Sequence, residues 1–228
     1  MPEVPDSEPG SSELRRLFTE RADSYVRFIR SVGYPVALRA YFAHCPFLRP
    51  GLRILDAGCG TGVVSLAVRH ALLRRGFGSA GIDAFDLTPA MLDRFRQALA
   101  ARSIVDVHLA EANVLALDAL PAAWTGYDLI VSASMLEYVP RASLPTALAG
   151  LRARLNETGA MVLFITRRNW LMRPLIGHWW HSNLYTRPEL LAAFRQAGFG
   201  EIAFGRFPLA YRPFAVWGHI VEARNKRR

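Results

Sequence analysis

Apolar residues near the start of the chain recur at helical intervals. Leu14, Leu17 and Phe18, then Tyr25, Phe28 and Ile29, then Val36, Leu38, Tyr41 and Phe42 each mark one helical face, and Gly33 and Pro35 interrupt the series. The spacing predicts two helices ahead of the first strand. From Ile54 onward short apolar runs alternate with amphipathic stretches. Strands are predicted at Ile54-Leu55, Ala80 to Phe85, Val105 to Leu109, Tyr127 to Ser132 and Ala160 to Thr166, and helices at Val63 to Arg75, after Pro89, at Leu144 to Leu155 and at Pro188 to Gly198. Alternating runs at Glu201 to Phe207 and Val216 to Ala223 read as two final strands. Strand and helix in alternation imply an α/β fold with a mostly parallel sheet.

The first strand breaks into Asp56-Ala57-Gly58-Cys59-Gly60-Thr61-Gly62 before a helix begins. Glycine tolerates positive φ and lets a ligand approach the backbone, while a helix N-terminus offers unpaired N–H groups. A dinucleotide fingerprint needs a third small residue where Val63 stands, and Asp56 would repel a pyrophosphate but suits a ligand with an ammonium group. A second strand-end acid follows. Asp86 precedes Thr88 and Pro89, which read as N-cap and first helical position, and an acid at that sheet edge can accept both ribose hydroxyls of an adenosine. Asp83 competes for the role; it falls on the opposite strand face, three residues earlier.

At 228 residues, 51% of them hydrophobic, the chain suffices for one α/β domain with a full core. Met1 to Ser12, rich in Pro, Glu, Asp and Ser, is expected to be disordered, and no apolar run is long enough to span a bilayer, so a cytoplasmic protein is expected. The two cysteines, Cys45 and Cys59, have no zinc-site spacing, and no metal is expected. The net charge of +9 is concentrated late: residues 167–228 carry ten Arg and Lys226 against Glu189, Glu201 and Glu222. A solvated basic surface accounts for this, as would binding of anionic substrates, lipid head groups or nucleic acid.

The glycine loop, Asp86-Leu87-Thr88 with Met91-Leu92, the segment Leu136-Glu137-Tyr138-Val139 after the fourth strand, and Ala197-Gly198-Phe199 before the last two strands together resemble class I S-adenosylmethionine-dependent methyltransferases. The resemblance covers about residues 53–224. It implies a Rossmann-like doubly wound sheet of seven strands with an antiparallel C-terminal hairpin and helices on both faces, as a single domain over 13–228 whose helical segment 13–48 is a lid. It implies S-adenosylmethionine as cofactor, with the amino-acid end near Asp56, Gly58, Gly60, Gly62 and Ser132, the ribose at Asp86 and Leu87, and adenine at Glu111-Ala112. The family usually has Asp-Ala at this last place, and Asn113 is an alternative partner.

For the acceptor, the resemblance points to Tyr25 on the lid, to Glu137 and Tyr138, and to the segment after the fifth strand with Trp179 and Trp180. His178 and His181 are the candidate bases there, with surface or packing histidines as the alternative. Asn/Asp-Pro-Pro-Tyr/Phe, the pattern of nucleobase and glutamine amino methyltransferases, is absent after the fourth strand. A small or lipid-like acceptor, methylated on O or N by in-line displacement, is therefore expected ahead of nucleic acid. An RNA-modifying enzyme, a nicotinamide-dependent oxidoreductase and a non-catalytic partner protein of this fold are the competing readings.

Overall fold

The computed structural model describes residues 27, 31–170, 172 and 182–225. Its elements are α1 (Tyr34–Ala43), β1 (Ile54–Ala57), α2 (Val63–Arg74), β2 (Ile82–Asp86), α3 (Pro89–Ala100), β3 (Val107–Glu111), β4 (Tyr127–Ala133), α4 (Leu144–Ala153), β5 (Leu155–Thr166), α5 (Arg187–Gln196), β6 (Ile202–Gly205) and β7 (Gly218–Arg224). Seven strands form one sheet in the order β3-β2-β1-β4-β5-β7-β6. Only β7 runs against its neighbours β5 and β6, so the remaining six strands share one direction.

Central strands buried on both faces need apolar residues at consecutive positions, which explains the unbroken runs at Ile54-Leu55 and Met161 to Ile165. On one face Ile54, Ile82, Leu129 and Val162 pack with Leu38 and Phe42 of α1 and Val64, Val68 and Leu72 of α2. Ala84 meets Leu92, Phe95 and Leu99 of α3 on that face. The other face carries Leu55, Ile130, Met161 and Leu163 against Leu144, Leu148 and Leu151 of α4 and Leu190 and Phe194 of α5.

Several boundaries differ from the sequence expectation: β2 and β3 begin two residues later than expected, and Val216, expected to open the last strand, ends a 3-10 segment before β7. β5 begins at Leu155 and not at Ala160, because Leu155 pairs with Tyr127 and the register then shifts before Leu129 meets Ala160. Asn156 to Gly159, expected as a turn, lies inside that irregular strand. Thr88 is the residue before α3, as expected, but its side chain makes no capping bond; its N–H donates to Asp86 Oδ1 at 2.9 Å.

Helix α1 is fastened to the sheet by aromatic packing. Tyr41 meets Phe164 of β5 edge-on at 5.1 Å between ring centroids, and its hydroxyl donates to Glu222 Oε1 of β7 at 2.8 Å. Aromatic pairs of this geometry contribute about 1 kcal/mol beyond area burial. That anchoring sets where the first residue of α1, Tyr34, stands relative to the strand tips.

Candidate active site

Successive strands leave β1 in opposite directions, to β2 and β3 on one side and to β4 and β5 on the other, so the switch point lies between β1 and β4. Open α/β sheets bind ligands outside the carboxyl ends of the strands at such a point. Four loops converge here: the glycine loop after β1 and the segments that follow β2, β3 and β4.

The glycine loop is tied to the end of β2 by backbone bonds. Gly58 N–H and Cys59 N–H both donate to Phe85 O at 2.9 Å, and Gly62 N–H closes a turn on Cys59 O at 2.8 Å. Gly58 and Gly62 have φ of 72° and 82°, and a Cβ on either would collide with Met135 or the Phe95 ring respectively. A Cβ on Gly60 would meet nothing, so the tip of the loop faces open space.

Asp86 stands at the last position of β2, half-buried, and accepts from Gly60 N–H through Oδ2 at 2.8 Å. With the Thr88 bond, these contacts orient the carboxylate at the strand edge. Burial raises its pKa and the backbone bonds partly oppose that rise. Leu87 follows at the same edge. Asp83 lies inside the strand, where its carboxylate accepts from the Tyr127 hydroxyl at 2.7 Å and pairs with His108 Nδ1 at 3.1 Å. Of the two acids, only Asp86 reaches the carboxyl edge.

Asp56 is fully buried behind the loop. Its Oδ2 accepts from Ser65 N–H at 3.0 Å and from Ser65 Oγ at 2.6 Å, which ties the end of β1 to the first turn of α2. Burial raises its pKa to about 7 against the opposing Ser65 bonds, and Oδ1 has no partner. Glu111 ends β3, and Ala112 donates its N–H to Asp86 O at 3.1 Å, which brings the β3 loop against the β2 edge. Asn113 Oδ1 accepts from Leu115 N–H, so that oxygen is engaged in its own turn.

The acceptor side begins at the tip of β4. Ser132 is buried with its Oγ unpartnered, and Ser134 holds a positive φ of 55°, unusual for a residue with a side chain. Ser134 N–H donates to Phe164 O, which keeps it there. Met135 lies over Gly58, Leu136–Tyr138 form a 3-10 turn, and Glu137 in that turn is buried. Glu137 Oε2 accepts from Thr166 N–H at 2.8 Å, linking the tips of β4 and β5, and burial raises its pKa to about 7. Tyr138 is half-buried beside it.

Tyr34, the first residue of α1, places its hydroxyl 3.5 Å from Ser134 Oγ. Sequence reading missed it. The signal was Gly33-Tyr34-Pro35, a left-handed glycine and a proline at a helix start, which marks a fixed chain entry but not its destination. Tyr25, His178, Trp179, Trp180 and His181 lie outside the described residues.

A family model described as a methyltransferase domain matches residues 54–159, the span from β1 into β5 that builds this edge. Over that span the chain is similar to class I S-adenosylmethionine-dependent methyltransferases. Among its relatives, the carboxy-S-adenosyl-L-methionine synthase of Sodalis glossinidius is 31% identical over 118 residues, 51% of this chain and 44% of that protein. The ubiquinone biosynthesis O-methyltransferase of Burkholderia pseudomallei is 29% identical over 202 residues, 79% of this chain and 77% of that one. The chain spans about half the length of the first curated relatives it matches. A solved structure of magnesium protoporphyrin IX methyltransferase from Synechocystis, with bound S-adenosylmethionine, shares the fold at a TM-score of 0.68 and 16% identity, covering 98% of this chain and all of that one. The loops so far described lie within the span of the family model.

Proposed function

We propose that this chain is a methyltransferase that binds S-adenosylmethionine in the cleft at the β1–β4 switch point and transfers its methyl group to an oxygen or nitrogen of a small or lipid-like acceptor in the cytoplasm. The observation that carries the reading is the meeting of Asp86 with the glycine loop at the carboxyl edge of the sheet. A carboxylate there suits a ribose diol, and the open space over Gly60 leaves room for a ligand. In this reading Gly58, Gly60 and Gly62 cradle the amino-acid end, with Asp56 fixing the loop from behind and Ser132 at the adjoining tip of β4. Asp86 and Leu87 hold the ribose, and Glu111 and Ala112 border the adenine.

When bound, the cofactor supplies a methyl group on a good sulfonium leaving group. The chain's own task is to position the acceptor in line and to exclude water. Tyr34, Ser134, Glu137 and Tyr138 border the acceptor side, and Tyr25, Trp179 and Trp180 are assigned to the same pocket. His178 or His181 would take the proton from an acceptor hydroxyl. The ubiquinone-pathway relative, whose alignment covers most of both chains, favours an O-methyl product and a lipid-like acceptor.

Calorimetry with S-adenosylmethionine and S-adenosylhomocysteine tests the cofactor half directly. Both should bind, and the failure of both to do so would end the reading. A labelled methyl donor offered to small-molecule and lipid extracts tests the acceptor half, with label expected in a low-molecular-mass or lipid fraction; label in RNA would overturn it.

A further inference from the structure

Six large apolar side chains are exposed among the described residues, and four of them, Val36, Trp170, Leu209 and Val216, sit on segments that touch one another. Asn169 Nδ2 donates to Val216 O at 2.7 Å, which places Trp170 beside the end of the 3-10 segment Leu209–Val216. Phe214 of that segment abuts Gly33, at the start of the helix that carries Val36. Trp170 is 84% exposed and Leu209 75%, so neither side chain is used in the core. Phe214 and Tyr211, by contrast, pack inward against the cluster that includes Phe207.

The charge around these side chains is predominantly positive. Arg167, Arg206 and Arg212 are exposed on the same segments and Arg39 on α1, while Arg168, also exposed, is paired with Glu189. No Asp or Glu occurs in residues 24–55, 158–188 or 202–221. An ordinary solvated surface interleaves both signs and keeps large apolar groups apart. Apolar side chains framed by cations match a plane that offers anionic head groups above hydrocarbon, where Trp and Arg both find favourable positions. Stacking on single-stranded nucleic acid would call for a series of aromatic faces, and three of these four residues are aliphatic.

We propose that the face formed by Trp170, Leu209, Val216 and the start of α1 docks onto an anionic membrane surface. No helix among the described residues is long and apolar enough to cross a membrane, so the attachment is peripheral. Tyr34 joins this face to the tip of β4, and docking therefore turns the acceptor side of the cleft toward the bilayer. This inference stands apart from methyl transfer, since the contact needs neither cofactor nor acceptor.

Flotation of the full chain with phosphatidylcholine vesicles containing about one third phosphatidylglycerol, and with pure phosphatidylcholine vesicles, tests it. The chain should float with the anionic vesicles, weakly with the neutral ones, and less at high salt, because each arginine near the surface adds about fivefold to partitioning. The double variants Trp170→Ser with Leu209→Ser, and Arg206→Glu with Arg212→Glu, should each lower partitioning by about tenfold or more with an unchanged melting temperature. No flotation with anionic vesicles, equal flotation with neutral ones, or undiminished flotation of both variants would overturn the proposal. So would displacement from the vesicles by an equal charge concentration of single-stranded RNA.

Discussion

The two halves of the cleft are assembled over different distances along the chain. On the cofactor side, Ser65 binds Asp56 across nine positions and Gly60 binds Asp86 across 26. On the acceptor side, Tyr34 reaches Ser134 across 100 positions, and the helix carrying it is held by a Tyr41–Glu222 bond across 181. The first half is dominated by backbone geometry within neighbouring βα units, which a short motif can specify. The second is a meeting of side chains from opposite ends of the sequence, which no local motif encodes. Substitutions in the first half should therefore act on folding and cofactor binding, and those in the second on α1 and what it covers.

The largest effect is expected inside the glycine loop. Gly62→Ala puts a Cβ into the Phe95 ring at a positive φ, and should destabilise by about 3 kcal/mol or more. Gly60→Ala keeps a similar backbone but meets open space, so a loss of only about 1 kcal/mol is expected. Paired denaturant titrations check the contrast, and equal losses would remove Phe95 as the cause.

Next comes the choice between the two strand-end acids. Asp86→Ala should weaken S-adenosylmethionine binding at least about tenfold, through loss of charge-assisted bonds of about 1.5 to 3 kcal/mol each. Asp83→Asn should leave that affinity within about threefold while lowering stability, because it disturbs Tyr127 and His108. Calorimetry that reversed the pair would move the ribose site to Asp83.

On the acceptor side, the two α1 tyrosines separate anchoring from contact. Tyr41→Phe removes a 2.8 Å bond to a carboxylate and should cost about 2 kcal/mol in thermal or chemical unfolding. Tyr34→Phe removes a bond at the 3.5 Å limit, for which about 0.5 kcal/mol is the ceiling. A larger loss at Tyr34 than at Tyr41 would mean that α1 is held from its N-terminus.

The remaining contrast is one of pH dependence. Burial raises the Asp56 pKa to about 7, so the folded state favours the protonated acid more than the unfolded state does. That contribution is fully present below about pH 4 and is lost as pH rises toward 7. Asp56→Asn keeps an acceptor for Ser65 without the charge, and its stability relative to the parent should rise steadily between pH 4 and 7. A difference independent of pH would show that Asp56 is ionised in the fold at all these values.

The sequence by itself determined the order of strands and helices and the glycine loop, because each depends on local rules: buried strands need continuous apolar runs, and positive φ favours glycine. Between Asp83 and Asp86 the sequence left the choice open, and the extent of β2, which ends at Asp86, places only that acid at the carboxyl edge. What lay beyond those rules was decided by tertiary structure. Asp56, beside the loop in sequence, is withdrawn behind it because Ser65, one helical turn into α2, captures its carboxylate. Glu137 joins two strand tips by way of Thr166, and Ser134 is held at positive φ by Phe164, a bond to the neighbouring strand. Tyr34 gave no local sign of its destination, since only the packing of Tyr41 and Phe42 on β5 carries it to the tip of β4. A side chain's partner can be read from sequence when backbone geometry sets the distance, and not when the folded sheet must first bring the two together.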